Sequence, residues 1–150
     1  MWQRIQTVFL GITIIALIIS LILPVWQGQS EGEVIVLTPF YLLNKGEYIY
    51  YPYALTALLI VAGITVAIME VRRYDNRMLQ IKLGALNTLI LAGAMVCVAY
   101  YTLKLSEQFP AGSKNGIGMY LVFVAVLCNW LAVRFIRRDE NLVKDSDRLR

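Results

Sequence analysis

The chain contains no histidine. That absence removes Ser-His-Asp and Cys-His nucleophile arrangements, histidine-ligated haem and most zinc sites. Cysteine is nearly absent too. Cys97 and Cys128 both fall inside long apolar runs, at depths that differ by several residues. A disulfide does not bridge such a separation, so both read as small apolar packing residues rather than redox groups. No glycine-rich phosphate loop follows a strand, and no paired-carboxylate site is visible. Glu31 and Glu33 are the closest carboxylates. They sit in a Gly-bounded segment, read as solvated, with too few oxygen donors nearby for calcium. No Asp, Glu, Lys or Arg falls deep in an apolar run. Glu70, Lys82 and Arg134 lie at run ends, where long side chains snorkel to water. Proton- and ion-coupled transporters carry intramembrane ionisable groups, so a pump acting alone is disfavoured. The chain is read as a non-enzyme without metal or cofactor. Convergent Glu and Tyr side chains around an enclosed outer cavity would point the other way.

What the sequence does have is apolar length. Of its 150 residues 59% are hydrophobic, above the 45–50% or so of a soluble domain. The excess lies in four runs, 7–26, 53–71, 83–103 and 117–136, each of 19 to 21 residues. A helix of roughly 20 residues crosses a hydrocarbon core of about 30 Å. The runs do not alternate as barrel strands would, and lipid admits only helices or closed barrels. The expected fold is therefore an all-α membrane protein. It is one antiparallel bundle of four transmembrane helices, with a short strand-like extracytoplasmic loop between helices 1 and 2. No second domain of ordinary size fits.

Charge sets the expected orientation. Four spans place both termini on one side. With them lie Arg4, Arg72, Arg73, Arg77, Lys82, Arg134, Arg137, Arg138, Lys144, Arg148 and Arg150, leaving Lys45, Lys104 and Lys114 opposite. Lys and Arg near span ends stay in the cytoplasm, which puts both termini there. The net charge of +4 thus reads as topology and contact with anionic headgroups. Nucleic-acid binding lacks a folded basic module. The first run could also be a secretory signal, but Leu23-Pro24-Val25-Trp26 is no small-residue cleavage site, and a retained span is preferred.

Between the first two runs, residues 27–52 form the one sizeable extramembrane segment. A turn-like Gln27–Gly32 stretch precedes two apolar runs, 34–37 and 40–43, separated by Thr38-Pro39. These read as short strands or a hairpin lying as a lid over the outer helix ends. Tyr48, Tyr50, Tyr51 and Tyr53 follow. They read as an interfacial aromatic belt, or as a cradle for a sugar or quinone headgroup. The third loop, 104–116, reads as a plain surface turn. The tail, 137–150, continues the fourth helix briefly and frays.

Inside the runs, small and polar residues mark the packing faces. Gly84, Thr88 and Ala92 recur every four residues in the third helix, and Ala57, Ala62, Gly63 and Ala67 form a looser set in the second. Asn87 and Asn129 fall at similar depth in adjacent antiparallel helices. They are expected to hydrogen-bond directly or through water, or else to line a polar substrate path.

The opening Met1-Trp2-Gln3-Arg4-Ile5-Gln6-Thr7-Val8-Phe9-Leu10 leads straight into the first run. With the Leu-Pro-Val-Trp exit and the four-span layout, it resembles a family of small four-helix bacterial inner-membrane proteins, catalogued as a domain of unknown function. That resemblance covers nearly the whole chain. It implies a bacterial cytoplasmic membrane and supplies no activity or site residues. Gln3, Arg4 and Gln6 are expected to hydrogen-bond the loop after Val71, near Asp75. The layout is also similar to claudin-like proteins at the level of fold alone, without their outer-loop cysteine pair. The expected function is an accessory or scaffold subunit that binds other membrane proteins within the lipid bilayer. The alternative is a binder or carrier of a lipid or other apolar molecule, with its mouth at the tyrosine cluster and lid.

Overall fold

The computed structural model describes residues 2–30, 32–73 and 76–148. Its helices are α1 (Trp2–Ile22), α2 (Ala54–Arg72), α3 (Arg77–Gln108) and α4 (Ile117–Arg148). Each is long and apolar enough to cross a bilayer, so the chain reads as a multi-pass membrane protein. α1 packs chiefly on α4, and α3 lies between α2 and α4. The bundle is held by small and branched side chains: Ala16, Leu17, Ile60, Leu91, Ala94, Val122 and Ala125.

The fold is not all-α. Five strands, β1 (Trp26–Ser30), β2 (Glu33–Leu37), β3 (Leu42–Asn44), β4 (Glu47–Ile49) and β5 (Lys114–Asn115), form one antiparallel sheet of order β4-β3-β2-β1-β5. It caps the end of the bundle opposite the N-terminus of α1 and the C-terminus of α4. Three sequence expectations change here. The supposed turn after the first run is strand β1. The third loop supplies β5 and is no plain turn. Trp26, the last residue of the first apolar run, enters the sheet, and the helix stops at Ile22.

The physical reason lies in the loop's own core. Val25, Trp26, Ile35, Leu37 and Leu42 pack on Val98 and Leu105 of α3. Trp26 is fully buried, and its indole N–H donates to Ser113 Oγ at 3.0 Å. In a strand, residues two apart share a face, so the ring lies over Gly28, where any Cβ would collide with it. Pro24 cannot continue α1. Its carbonyl instead accepts from Gly118 N–H at 3.0 Å, while Val25 O accepts from Gly116 N–H at 2.8 Å. A Cβ at Gly116 would meet the Pro24 carbonyl, so the chain closes tightly over the α1–β1 junction.

The two longest helices have 32 residues each, about 48 Å at 1.5 Å per residue, and exceed a hydrocarbon core of about 30 Å. α3 uses its surplus beneath the sheet. α4 uses its surplus at the opposite, basic end and runs to Arg148, beyond the brief continuation expected. There Arg77 pairs with Asp139 at 3.1 Å and ties the start of α3 to α4.

Candidate functional site

The most concentrated polar chemistry inside the bundle lies where α2, α3 and α4 meet. Asn87 Nδ2 donates to Asn129 Oδ1 at 2.9 Å. Asn129 Nδ2 in turn donates to Thr88 Oγ1 at 2.8 Å and to the Gly84 carbonyl at 3.2 Å. Thr88 Oγ1 donates to the same carbonyl at 2.8 Å. Both asparagines are fully buried, and their bond is direct.

Gly84 is the pinch point of the cluster. A Cβ there would collide with Val133 of α4 and approach the Glu70 carboxylate of α2 at 2.6 Å. Three helices therefore approach through one glycine. The four-residue row of the sequence does not stay on one face. Gly84 is buried and Thr88 half-buried, whereas Ala92 is exposed. Four residues turn a helix by about 400°, so such a row drifts about 40° per step.

Glu70 departs most from the sequence reading. Its position near a run end suggested snorkelling, yet the residue is wholly buried. Neither carboxylate oxygen has a hydrogen-bond partner among the described residues. Helix direction explains this. Ile60, Gly63, Ala67 and Glu70 form one inward face of α2. Helical side chains tilt toward their own N-terminus, which in α2 points back into the bundle and away from the near end. The inward 3.6-residue period was visible in the sequence and is the signal that finds Glu70. Gln80 Nε2 donates to the backbone carbonyl of Glu70 at 3.3 Å, joining α3 to α2 at this level.

Other expected residues separate. Tyr48, Tyr50 and Tyr51 are exposed, whereas Tyr53 is half-buried against Tyr101, ring centroids 5.1 Å apart. Tyr41, unmarked in the sequence reading, stacks edge-on with Tyr48 at 5.1 Å and Tyr50 at 5.9 Å. Cys97 and Cys128 are free and half-buried. Gln6 is buried, its amide nitrogen unpartnered among the described residues. Its expected neighbour Asp75, and Glu31 of the outer loop, lie outside the described residues, as do the side chains of Gln3 and Arg4.

Chemically, the inner cluster offers amides, one hydroxyl and one carboxylate. Among the described residues, no three His, Cys, Asp or Glu side chains gather to hold a metal. The bonds fasten α3 to α4, each worth about 0.6 kcal/mol in lipid.

The outward face of α3 is a second candidate. Leu89, Val96 and Leu103 are 72%, 68% and 66% exposed. Between them Ala85 and Ala92 are exposed and Ala99 half-buried. Both sets repeat every seven residues.

The family model for DUF4293, a domain of unknown function, matches residues 2–149, and the chain belongs to that family. No curated protein matches the chain.

Proposed function

We propose that this family member is a non-catalytic accessory or scaffold subunit of a bacterial inner membrane, holding other membrane proteins through the outward face of α3. The observation that carries the reading is the seven-residue alternation on that face. Leu89, Val96 and Leu103 project, and Ala85, Ala92 and Ala99 leave hollows between them. A 3.5-residue seam of large and small residues suits knobs-into-holes packing with a left-handed crossing. A face that meets only lipid has no need of hollows, because lipid tails conform to any apolar surface. Helices in lipid associate where small residues let backbones approach. The inner cluster supports the same reading from the other side, since the amides of Asn129, Asn87 and Gln80 fasten α3 to α4 and to α2.

The orientation belongs to this proposal. The end that carries Arg72, Arg73, Arg77, Lys82, Arg134, Arg137 and Arg138 faces the cytoplasm, and the sheet lies outside. The alternative reading, a binder of lipid or another apolar molecule, has its support at the basic end, where α4 borders open grooves. It has less support at the lid, whose underside is filled by Trp26, Ile35, Leu37 and Leu42.

The test is affinity purification of the tagged full chain from native membranes in mild detergent, beside an Ala92→Leu/Ala99→Leu variant that fills the hollows. A stoichiometric protein partner present with the native chain and lost from the variant supports the proposal. Purification without protein, with one enriched lipid in both samples, moves the assignment to the lipid binder.

A further inference from the structure

At the basic end of the bundle a groove of about 340 Å³ runs between α3 and α4. Ala85 and Thr88 form one wall, Trp130, Val133 and Arg134 the other, and Arg137 stands at its mouth. Trp130, Arg134 and Arg137 are spaced i, i+4, i+7 and share one stripe of α4. The Arg134 guanidinium lies over the Trp130 ring, 5.4 Å from its centroid. Trp130 is about half exposed, as suits an indole at a membrane interface. The same two arginines also line a second groove of about 680 Å³, with Leu131, Phe135 and Leu142 beside Arg138 and Asn141.

We propose that this is a binding site for an anionic phospholipid, its phosphate between Arg134 and Arg137 and an acyl chain along the first groove. Three observations point to that occupant. First, the two arginines are common to both grooves, which places a charged head where the two grooves meet. Second, no carboxylate lines either groove among the described residues, and Asp139 is engaged by Arg77. Third, α3 contributes only the small side chains of Ala85 and Thr88 to the first groove, which keeps that wall low. Two guanidiniums recognise a phosphate oxygen pair through charge-assisted hydrogen bonds. The first groove gives one chain an apolar bed on Val133 and the Trp130 ring. The site borders the α3 seam at Ala85 and draws its charge from α4 alone.

The experiment uses the full chain purified in mild detergent and stripped of lipid. Phosphatidylglycerol, phosphatidylethanolamine or inorganic phosphate is titrated, and native mass spectrometry counts bound molecules. Phosphatidylglycerol is expected to bind in preference to phosphatidylethanolamine. An Arg134→Gln/Arg137→Gln variant loses about 30-fold in affinity, the weight of two arginines near the surface. An Arg72→Gln/Arg73→Gln variant, equally depleted in charge, retains binding. In the native chain alone, a phosphatidylglycerol with a photoreactive acyl chain labels the α4 segment around Trp130 and the α3 segment around Ala85. Equal binding of both lipids overturns the proposal, as does unchanged affinity in the Arg134→Gln/Arg137→Gln variant or label placed elsewhere. Competition by inorganic phosphate at matching concentration also overturns it, because the acyl chains would then contribute nothing.

Discussion

Asn87 of α3 and Asn129 of α4 meet through a direct hydrogen bond of 2.9 Å, with no surface of either residue left open. A double-mutant cycle with Asn87→Ala and Asn129→Ala reads its strength. The expected coupling is about 0.6 kcal/mol and below about 1.7 kcal/mol, because the membrane-inserted unfolded state also finds partners. Asn129→Ala alone costs more than Asn87→Ala, since Asn129 also serves Thr88 and Gly84. Reversible unfolding in mixed micelles measures both quantities.

Glu70 predicts an unusual sign. A buried carboxylate without partners opposes folding, and replacing it by an apolar side chain of similar volume removes that penalty. Glu70→Met is expected to stabilise the bundle by about 1–3 kcal/mol, read as a higher midpoint of unfolding. A midpoint lowered by a similar amount would mean that a ligand or partner normally satisfies the carboxylate.

Gly84 and Gly11 make a matched pair. A methyl at Gly84 meets Val133 and Glu70, while one at Gly11 meets nothing within 4 Å. Gly84→Ala is expected to cost about 1–3 kcal/mol through overpacking. Gly11→Ala is expected to stabilise by about 0.5–1 kcal/mol, because alanine is the better helix former. Thermal unfolding of the two variants side by side checks the contrast. Equal effects would contradict the tight three-helix contact.

Orientation follows from charge and is tested by single cysteines in a Cys97→Ala/Cys128→Ala background. A thiol at Ser30 or Gly112 is expected to react with an impermeant maleimide added to intact cells. A thiol at Asn141 reacts only after lysis. The reverse pattern would invert the topology.

The four helices are legible in the sequence because each apolar run is long enough to cross a bilayer and does not alternate as a strand would. The Asn87–Asn129 contact was legible because hairpin connectivity fixes relative depth. The sheet was only half legible. Val34–Leu37 shows branched, apolar residues, whereas Trp26–Ser30 and Lys114–Asn115 are polar and glycine-rich. Their strand character comes from pairing with neighbours, as in Trp26 with Leu37 and Asn115. Glu70 was misjudged because its distance from the run end was weighed without its face. The seven-residue seam on α3 is obscured in the sequence by the four-residue row of Gly84, Thr88 and Ala92, which crosses from the inward to the outward face.

The most direct test of the subunit reading is photo-crosslinking in native membranes from single positions on the lipid-facing surface. A photoreactive side chain replaces Leu89 or Val96 on the α3 seam, or Ile15 on the exposed face of α1. The account predicts discrete protein adducts from Leu89 and Val96 and lipid adducts alone from Ile15. Lipid adducts alone from all three positions would contradict it.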